Sequence, residues 1–302
     1  VYNKDITQVR RVHMNILKVF ELFPTQKHCI DYLEKVRWNN EPVCPYCKSE
    51  NNYPLNHGGQ YRHHCNNCRK TFSVTVNTIM HNTRLPLQKW FFAITLVANA
   101  KKGLSSRQLA RDLGLPVKTA YSLSQRIRKA MLGNRSPFLR GIIEIDETYI
   151  GGKPRHRSQD NKRGRGTKKT MVVGALEREG EVIARSYNQF RQSDVKDLIM
   201  KNIDIDNSEI HTDEYRVYNK VNRLTSHKTV NHGAKQYVKG NVHTNSIEGF
   251  WSLVKRAHYG QHHHYSRQYT DLYIAEAVFK YNHRKLNQTE VFNSIIGGLV
   301  NV

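Results

Sequence analysis

The chain has 302 residues, with 48 lysines and arginines against 25 aspartates and glutamates, a formal net charge of +23 and a pI near 9.9. That length accommodates two or three modules, one of them with a substantial core, and the charge calls for a polyanionic partner, most often nucleic acid held through counterion release, with a merely basic soluble protein or a ribosome-associated factor as the alternative. No run of eighteen apolar residues is available to cross a membrane, and no signal-peptide pattern is seen, so the expected setting is a reducing cytoplasm.

Residues 8–38 read as helical. Val12, Ile16, Val19, Phe20 and Phe23 are spaced for one buried face, and Pro24 divides the stretch. The second helix passes through Cys29, Tyr32, Leu33 and Val36 and ends at Trp38. This segment, 1–40, is expected to pack on a neighbouring module, with Cys29 as a small buried side chain.

Residues 41–80 hold Cys44-Pro-Tyr-Cys47, then seventeen residues (48–64), then Cys65-Asn-Asn-Cys68. Two CxxC knuckles at this separation suit a structural zinc bound by four thiolates, a closed site with no position left for catalysis. The interval containing Tyr53, Tyr61 and Arg62 predicts a hairpin, and Phe72 caps the site. His63 and His64 are expected on the surface or facing DNA, not on the metal.

Residues 85–133 are expected to form a helix-turn-helix. Leu87, Trp90, Phe91, Ile94 and Val97 line the first helix. Ser105 or Ser106 caps the second, and Gly114-Leu-Pro116 makes the turn. In the third helix Val117, Ala120, Leu123 and Ile127 are expected to be buried. Lys118, Thr119, Tyr121 and Ser122, with Arg126 further along, then face outward where such a helix meets base edges.

After residue 139 the period shifts to two. Gly141–Ile150 reads as a strand with Ile143 and Ile145 on one face and Glu144 and Asp146 on the other, which would turn Glu147 away from Asp146. Residues 153–169 carry eight lysines and arginines, including Lys153 and Arg155, beside a single acid. Closure of this stretch over phosphates and a merely solvated loop are both open readings. Strands follow at 170–177 and 181–187, joined at Glu179-Gly180, then a helix at 193–202, a strand at 208–213 and a helix from 214 to about 221. This is an α/β layout with a mixed sheet. Helices at 266–284 and 289–297 are expected to pack on the outside of the sheet.

On a helix beginning near Thr244, Asn245, Glu248, Ser252 and Lys255 form one stripe, and Ile247, Phe250, Trp251 and Val254 form an apolar one. Asp146, Asp213 and Glu248 converging in so basic a chain make a hard-oxygen site for Mg²⁺ or Mn²⁺. Two such ions about 3.5–4 Å apart suit in-line displacement at phosphorus. Asp146 bridges in this reading, Asp213 holds the first ion and Glu248 the second. Lys255 clamps a phosphate, beside Arg256. Asn245 orients a ligand, contacts DNA or caps its own helix.

The series CPYC…CNNC with RKTFS, EIDETYIGGK, HTDEYRVY, HTNSIEGFWSLVKR and YNHRK resembles the DDE transposases of insertion sequences that carry an N-terminal zinc ribbon, bacterial relatives of the eukaryotic Merlin elements. The resemblance covers nearly the whole chain. It implies a ribonuclease-H-like catalytic domain over 139–289, followed by a C-terminal helix or tail at 290–302, with acids at Asp146, Asp213 and Glu248. Many members have asparagine in the third motif, which matches Asn245. The seven-residue step from Glu248 to Lys255 matches the glutamate-to-lysine spacing common among DDE enzymes and favours Glu248. The implied activity is cleavage and strand transfer at terminal inverted repeats, by a dimer or larger assembly on transposon-end and target DNA. The alternative is a non-catalytic DNA-binding regulator on a domesticated scaffold.

Overall fold

In the computed structural model, residues 14–57, 60–133, 137–152, 169–230 and 242–301 are described. The chain divides into two units, residues 1–134 with 284–302, and residues 135–283.

In the first unit, α1 (Ile16–Leu22) and α2 (Gln26–Trp38) flank Pro24, as its lack of an amide hydrogen requires. Helix α1 spans two turns and packs on α3 (Leu87–Asn99) through Val19, with Phe23 following it into the core. Ile16 (41% exposed) and Phe20 (64%) therefore face solvent instead of sharing the expected buried face, because so short a helix meets its neighbour along one narrow line. Val12 lies outside the described residues.

The ribbon is a three-stranded antiparallel sheet of β1 (Asn52–His57), β2 (Gln60–Cys65) and β3 (Thr71–Phe72). Its core is small: Cys44, Cys65 and Phe72, with Trp38 from α2 packed against them. His63 belongs to that core and not to the surface. It is buried, stacks on Phe72 and meets the Glu34 carboxylate at 2.8 Å, because its alternate position on β2 faces α2.

Helices α4 (Ser106–Leu113) and α5 (Val117–Leu132) follow α3. The Ser105 hydroxyl accepts the amide of Gln108 and caps α4, and Gly114 ends it at φ +58°, a conformation that favours glycine. Ala120, Leu123 and Ile127 are buried as expected, but Val117 is 52% exposed, since the turn leaves the first residue of α5 beyond the packed face.

The second unit is built on a five-stranded sheet. β4 (Leu139–Ile150), β5 (Thr170–Glu177) and β6 (Val182–Tyr187) form an antiparallel meander, followed by α6 (Gln192–Asn202), β7 (Ile203–Asp213) and β8 (Ser226–Val230). The strand order is β6-β5-β4-β7-β8, with β4, β7 and β8 parallel, a ribonuclease-H-like arrangement. One face, bearing Ile143, Ile145, Val173 and Ile210, is covered by Val195, Leu198 and Ile199 of α6. The opposite face receives α7 (Asn245–Ala257) and α8 (Thr270–Asn282), through Ile247, Phe250, Trp251, Val254 and Ile274. The predicted helix after residue 213 is a pair of short 3₁₀ turns, Arg216–Tyr218 and Val221–Arg223. Helix α8 also closes the β6 edge: Asn282 bonds both the amide and the carbonyl of Val182, and Asp271 accepts the amide of Ser186.

The last helix, α9 (Gln288–Val300), departs from expectation. It packs on α2, α3 and α5 in the first unit, not on the sheet. Phe292 joins Phe23, Tyr32 and Phe91, and a Cβ at Gly298 would overlap the Ala130 carbonyl, so glycine there allows α9 its approach to α5.

Candidate active site

Strand β4 pairs with β7 in parallel as far as Glu144 opposite His211. Two residues further on, on the same face, come Asp146 and Asp213. Past the end of the parallel pairing, at the carboxyl side of the strands, a crevice opens between backbones that no longer bond to one another. The Asp213 carboxylate accepts the amide of Tyr215, which turns the chain at the end of β7.

Asp146 sits on the central strand. Its Oδ2 accepts the indole N–H of the buried Trp251 at 3.2 Å. Opposite Asp146 on β5 is Gly174, and a Cβ there would come within 2.9 Å of the Trp251 ring, so the absence of a side chain makes the seat for the indole. Burial first, then repulsion from Glu147, Asp213 and Glu248, pushes the Asp146 carboxyl up to about 7.

Glu147 was expected to turn away. Instead Asp146, Glu147 and Asp213 each place a carboxylate oxygen within 4.8 Å of the others. The backbone does alternate, and Glu147 starts on the α6 face, where the buried Tyr218 hydroxyl donates to it at 3.4 Å. Because β4 and β7 no longer pair with each other at this level, the gap between them is open to both faces, and the longer glutamate reaches the rim.

Helix α7 presents the expected stripes. Ile247, Phe250, Trp251 and Val254 are buried, and Asn245, Glu248, Ser252 and Lys255 are exposed. A cleft of about 630 Å³ is lined by that exposed stripe together with Asp146, Glu147 and Asp213. Glu248 accepts the Thr244 hydroxyl at 3.2 Å and stands outside the tight trio, though close enough to raise Asp146. A cluster of acidic oxygens in which one carboxyl is lifted by burial and then by its neighbours is a donor set that fits Mg²⁺ or Mn²⁺.

The four cysteine sulfurs also form one group within 4.8 Å, with Cys44–Cys68 at 3.6 Å and Cys47–Cys65 at 3.5 Å. Tetrahedral zinc with bonds of about 2.3 Å requires sulfurs roughly 3.8 Å apart, so the residues fit the ion. The two knuckles repeat one conformation. Lys48 (φ +61°) and Arg69 (φ +58°) follow the second cysteine, and their amides bond the carbonyls of Cys44 and Cys65. The backbone amide of Cys68, helped by the Cys47 thiol, holds Cys65 down at about 6 against the cost of burial.

On α5, Lys118, Thr119 and Ser122 are exposed, while Tyr121 and Arg126 are half-buried and the Arg126 guanidinium reaches the His81 carbonyl at 3.5 Å. Arg256 is exposed next to Lys255. Lys153 and Arg155 lie outside the described residues. The sequence pattern missed Glu147 and the contact of Trp251 with Asp146. The tryptophan gave a partial signal, an indole on the apolar stripe one turn past Glu248.

Residues 138–282 match the family described as ISXO2-like transposase domain, and residues 24–71 match a transposase zinc-ribbon domain. The chain is 30% identical over 252 residues to an uncharacterized protein in transposable element ISH50 of Halobacterium salinarum, covering 78% of this chain and 83% of that one. Among solved structures it is similar to the Mos1 strand transfer complex, at 11% identity and a TM-score of 0.29, covering 68% of this chain and 76% of that one. A pre-cleavage Mos1 transpososome follows at 10% identity and a TM-score of 0.20, covering 67% and 76%.

Proposed function

The chain belongs to the family of ISXO2-like DDE transposases that carry an N-terminal zinc ribbon, and from that premise we propose that it cuts the ends of its own insertion sequence and joins them to target DNA. The observation that carries this reading is the meeting of Asp146, Glu147 and Asp213 in one cleft with Glu248 and Lys255, in a chain of net charge +23.

In this reading Asp146, Asp213 and Glu248 hold Mg²⁺ or Mn²⁺, with Glu147 as a further carboxylate within reach. When bound, the metal supplies Lewis-acid polarisation of the phosphoryl oxygens and an acidified attacking oxygen. Lys255 takes a non-bridging phosphate oxygen as a point charge, and Asn245 on the same stripe orients the strand. In the first step water attacks phosphorus at the transposon end, the bond to the 3′-oxygen breaks, and a free 3′-hydroxyl remains. In the second, that hydroxyl attacks a target phosphodiester and displaces a target 3′-oxygen. Each step exchanges one P–O bond for another, so a single site serves both. Lys118, Thr119, Tyr121 and Ser122 at the start of α5, with Arg126, read the terminal repeat, and the ribbon holds its shape through zinc on Cys44, Cys47, Cys65 and Cys68. Handling two ends together calls for a dimer or larger assembly on DNA.

Asp146→Asn tests the reading. End binding in a gel shift should survive, while nicking and strand transfer in Mg²⁺ disappear; joining at the wild-type rate would sink the metal role. The same incubation separates the rival, because a regulator shifts end DNA without breaking it.

A further inference from the structure

We propose that the buried Glu144–Arg178 pair is a hub that registers the three acid-bearing segments against one another, a positioning role that rests on the active-site reading above. Glu144 is fully buried on β4, two residues before Asp146 on the same face. Its Oε2 accepts the amides of Ser246 at 2.8 Å and Ile247 at 3.0 Å. Its Oε1 accepts the Ser246 hydroxyl at 3.0 Å and Arg178 Nε at 2.7 Å. These are amides of the first turn of α7, which have no partner within the helix. An N-cap side chain ordinarily satisfies them. Here the N-cap residue Thr244 makes no such bond and sends its hydroxyl to Glu248 instead. The cap of α7 is thus a carboxylate from the centre of the sheet, favoured also by the helix dipole.

Arg178 extends the tie to the remaining acid. Its Nη2 lies 3.2 Å from His211 Nδ1 and 3.0 Å from the His243 carbonyl. His211 is on β7, two residues before Asp213, and its other ring nitrogen meets Glu209 at 2.6 Å. One guanidinium therefore touches β4, β7 and the segment leading into α7. On each strand the contact falls two residues from the acid, and on α7 the capped amides immediately precede Glu248.

Stability alone does not explain an ionic pair here. Burying one is a weak source of folding free energy, and apolar side chains of similar volume often serve as well or better. The opposite face of the same strands is packed that way, by Ile143, Ile145 and Ile210. What the pair adds is register. A slip of α7 by one residue moves Glu248 about 1.5 Å along the helix axis, comparable with the roughly 2.0–2.1 Å bonds that Mg²⁺ accepts with little tolerance.

The experiment uses the full-length, zinc-loaded protein and compares Glu144→Gln and Arg178→Lys with wild type and with Ile199→Val, a core change on the α6 face. Three quantities are read: hydrogen exchange of the Ser246 and Ile247 amides, the Mg²⁺ concentration that half-saturates the thermal shift, and cleavage of end DNA. The hub predicts faster exchange at those two amides and an Mg²⁺ midpoint raised about 10- to 100-fold, with end binding unchanged and cleavage partly restored by added Mg²⁺. Ile199→Val should lower stability without moving the midpoint. If Glu144→Gln does not fold, Arg178→Lys decides, since it keeps the charge and loses the guanidinium fork. Wild-type exchange and midpoint in the variants that fold, or changes no larger than those of Ile199→Val, would overturn the proposal. Asp146→Asn run alongside keeps the two readings apart: unimpaired cleavage there defeats the assigned site, while the exchange data still judge the hub.

Discussion

Burial, and then the nearness of Glu147, Asp213 and Glu248, lifts the Asp146 carboxyl from 3.8 to about 7, and the sign of that shift has a consequence for stability. The folded state holds a proton that the unfolded chain gives up between these two values. Metal-free protein should therefore lose stability as pH rises from about 4 to 7, by about 1.4 kcal/mol for each unit of difference. Below that window the contribution is fully present, and above it the loss is complete. Asp146→Asn removes the titrating group and leaves an oxygen to accept the Trp251 indole. At pH 8 and without divalent metal, the variant should melt higher than wild type, with the two curves converging toward pH 4. Saturating Mg²⁺ at pH 8 should reverse the order, since only the wild type gains by binding. Melting curves with and without chelator at the two pH values check this; a variant less stable than wild type in metal-free buffer at pH 8 contradicts it.

The elements differ in how far the sequence announced them. Alternation of Ile143 and Ile145 with Glu144 and Asp146 marked β4, and the three- and four-residue steps of residues 244–257 marked both faces of α7, because each pattern records a face that must be buried. The cysteine spacing marked the knuckles for a similar local reason. Placement over long range was not written locally. Nothing in residues 288–300 says whether an apolar helix covers a sheet or other helices, and α9 joins α2, α3 and α5. Glu147 was misread because alternation places its backbone on the α6 face but does not say how far the longer side chain reaches once β4 and β7 have stopped pairing. The hub was invisible because a buried glutamate and an ordinary surface one look alike until a helix end and an arginine are brought to it. Gly174 was likewise silent, yet it couples β5 to α7. Gly174→Ala places a methyl within 2.9 Å of the Trp251 ring and should cost about 1–3 kcal/mol by overpacking, read from denaturant midpoints. In Gly174→Ala/Trp251→Phe the smaller ring relieves the clash, so the double variant should be more stable than the sum of the single changes predicts. Simple additivity would mean that Gly174 does not set the position of the indole.

Over the whole molecule, a charge of +23 exceeds what one catalytic cleft uses, and salt dependence separates the general attraction from recognition. Each phosphate neutralised contributes about −0.9 to the slope of log affinity against log salt. Base-edge contacts carry sequence preference and leave that slope nearly untouched. Lys255 and Arg256, exposed at the end of α7, belong to the first class in this reading, whereas Thr119 and Ser122, exposed near the start of α5, belong to the second. Lys255→Ala and Arg256→Ala should each flatten the slope by about one for end and random DNA alike. Thr119→Ala and Ser122→Ala should keep the slope and reduce the ratio of end to random affinity, since each removes a hydroxyl that can meet a base edge. Fluorescence anisotropy titrations at four or five salt concentrations on the two DNAs give both numbers. An α5 variant that weakens both DNAs equally would assign that helix to phosphate contact and move end recognition elsewhere in the chain.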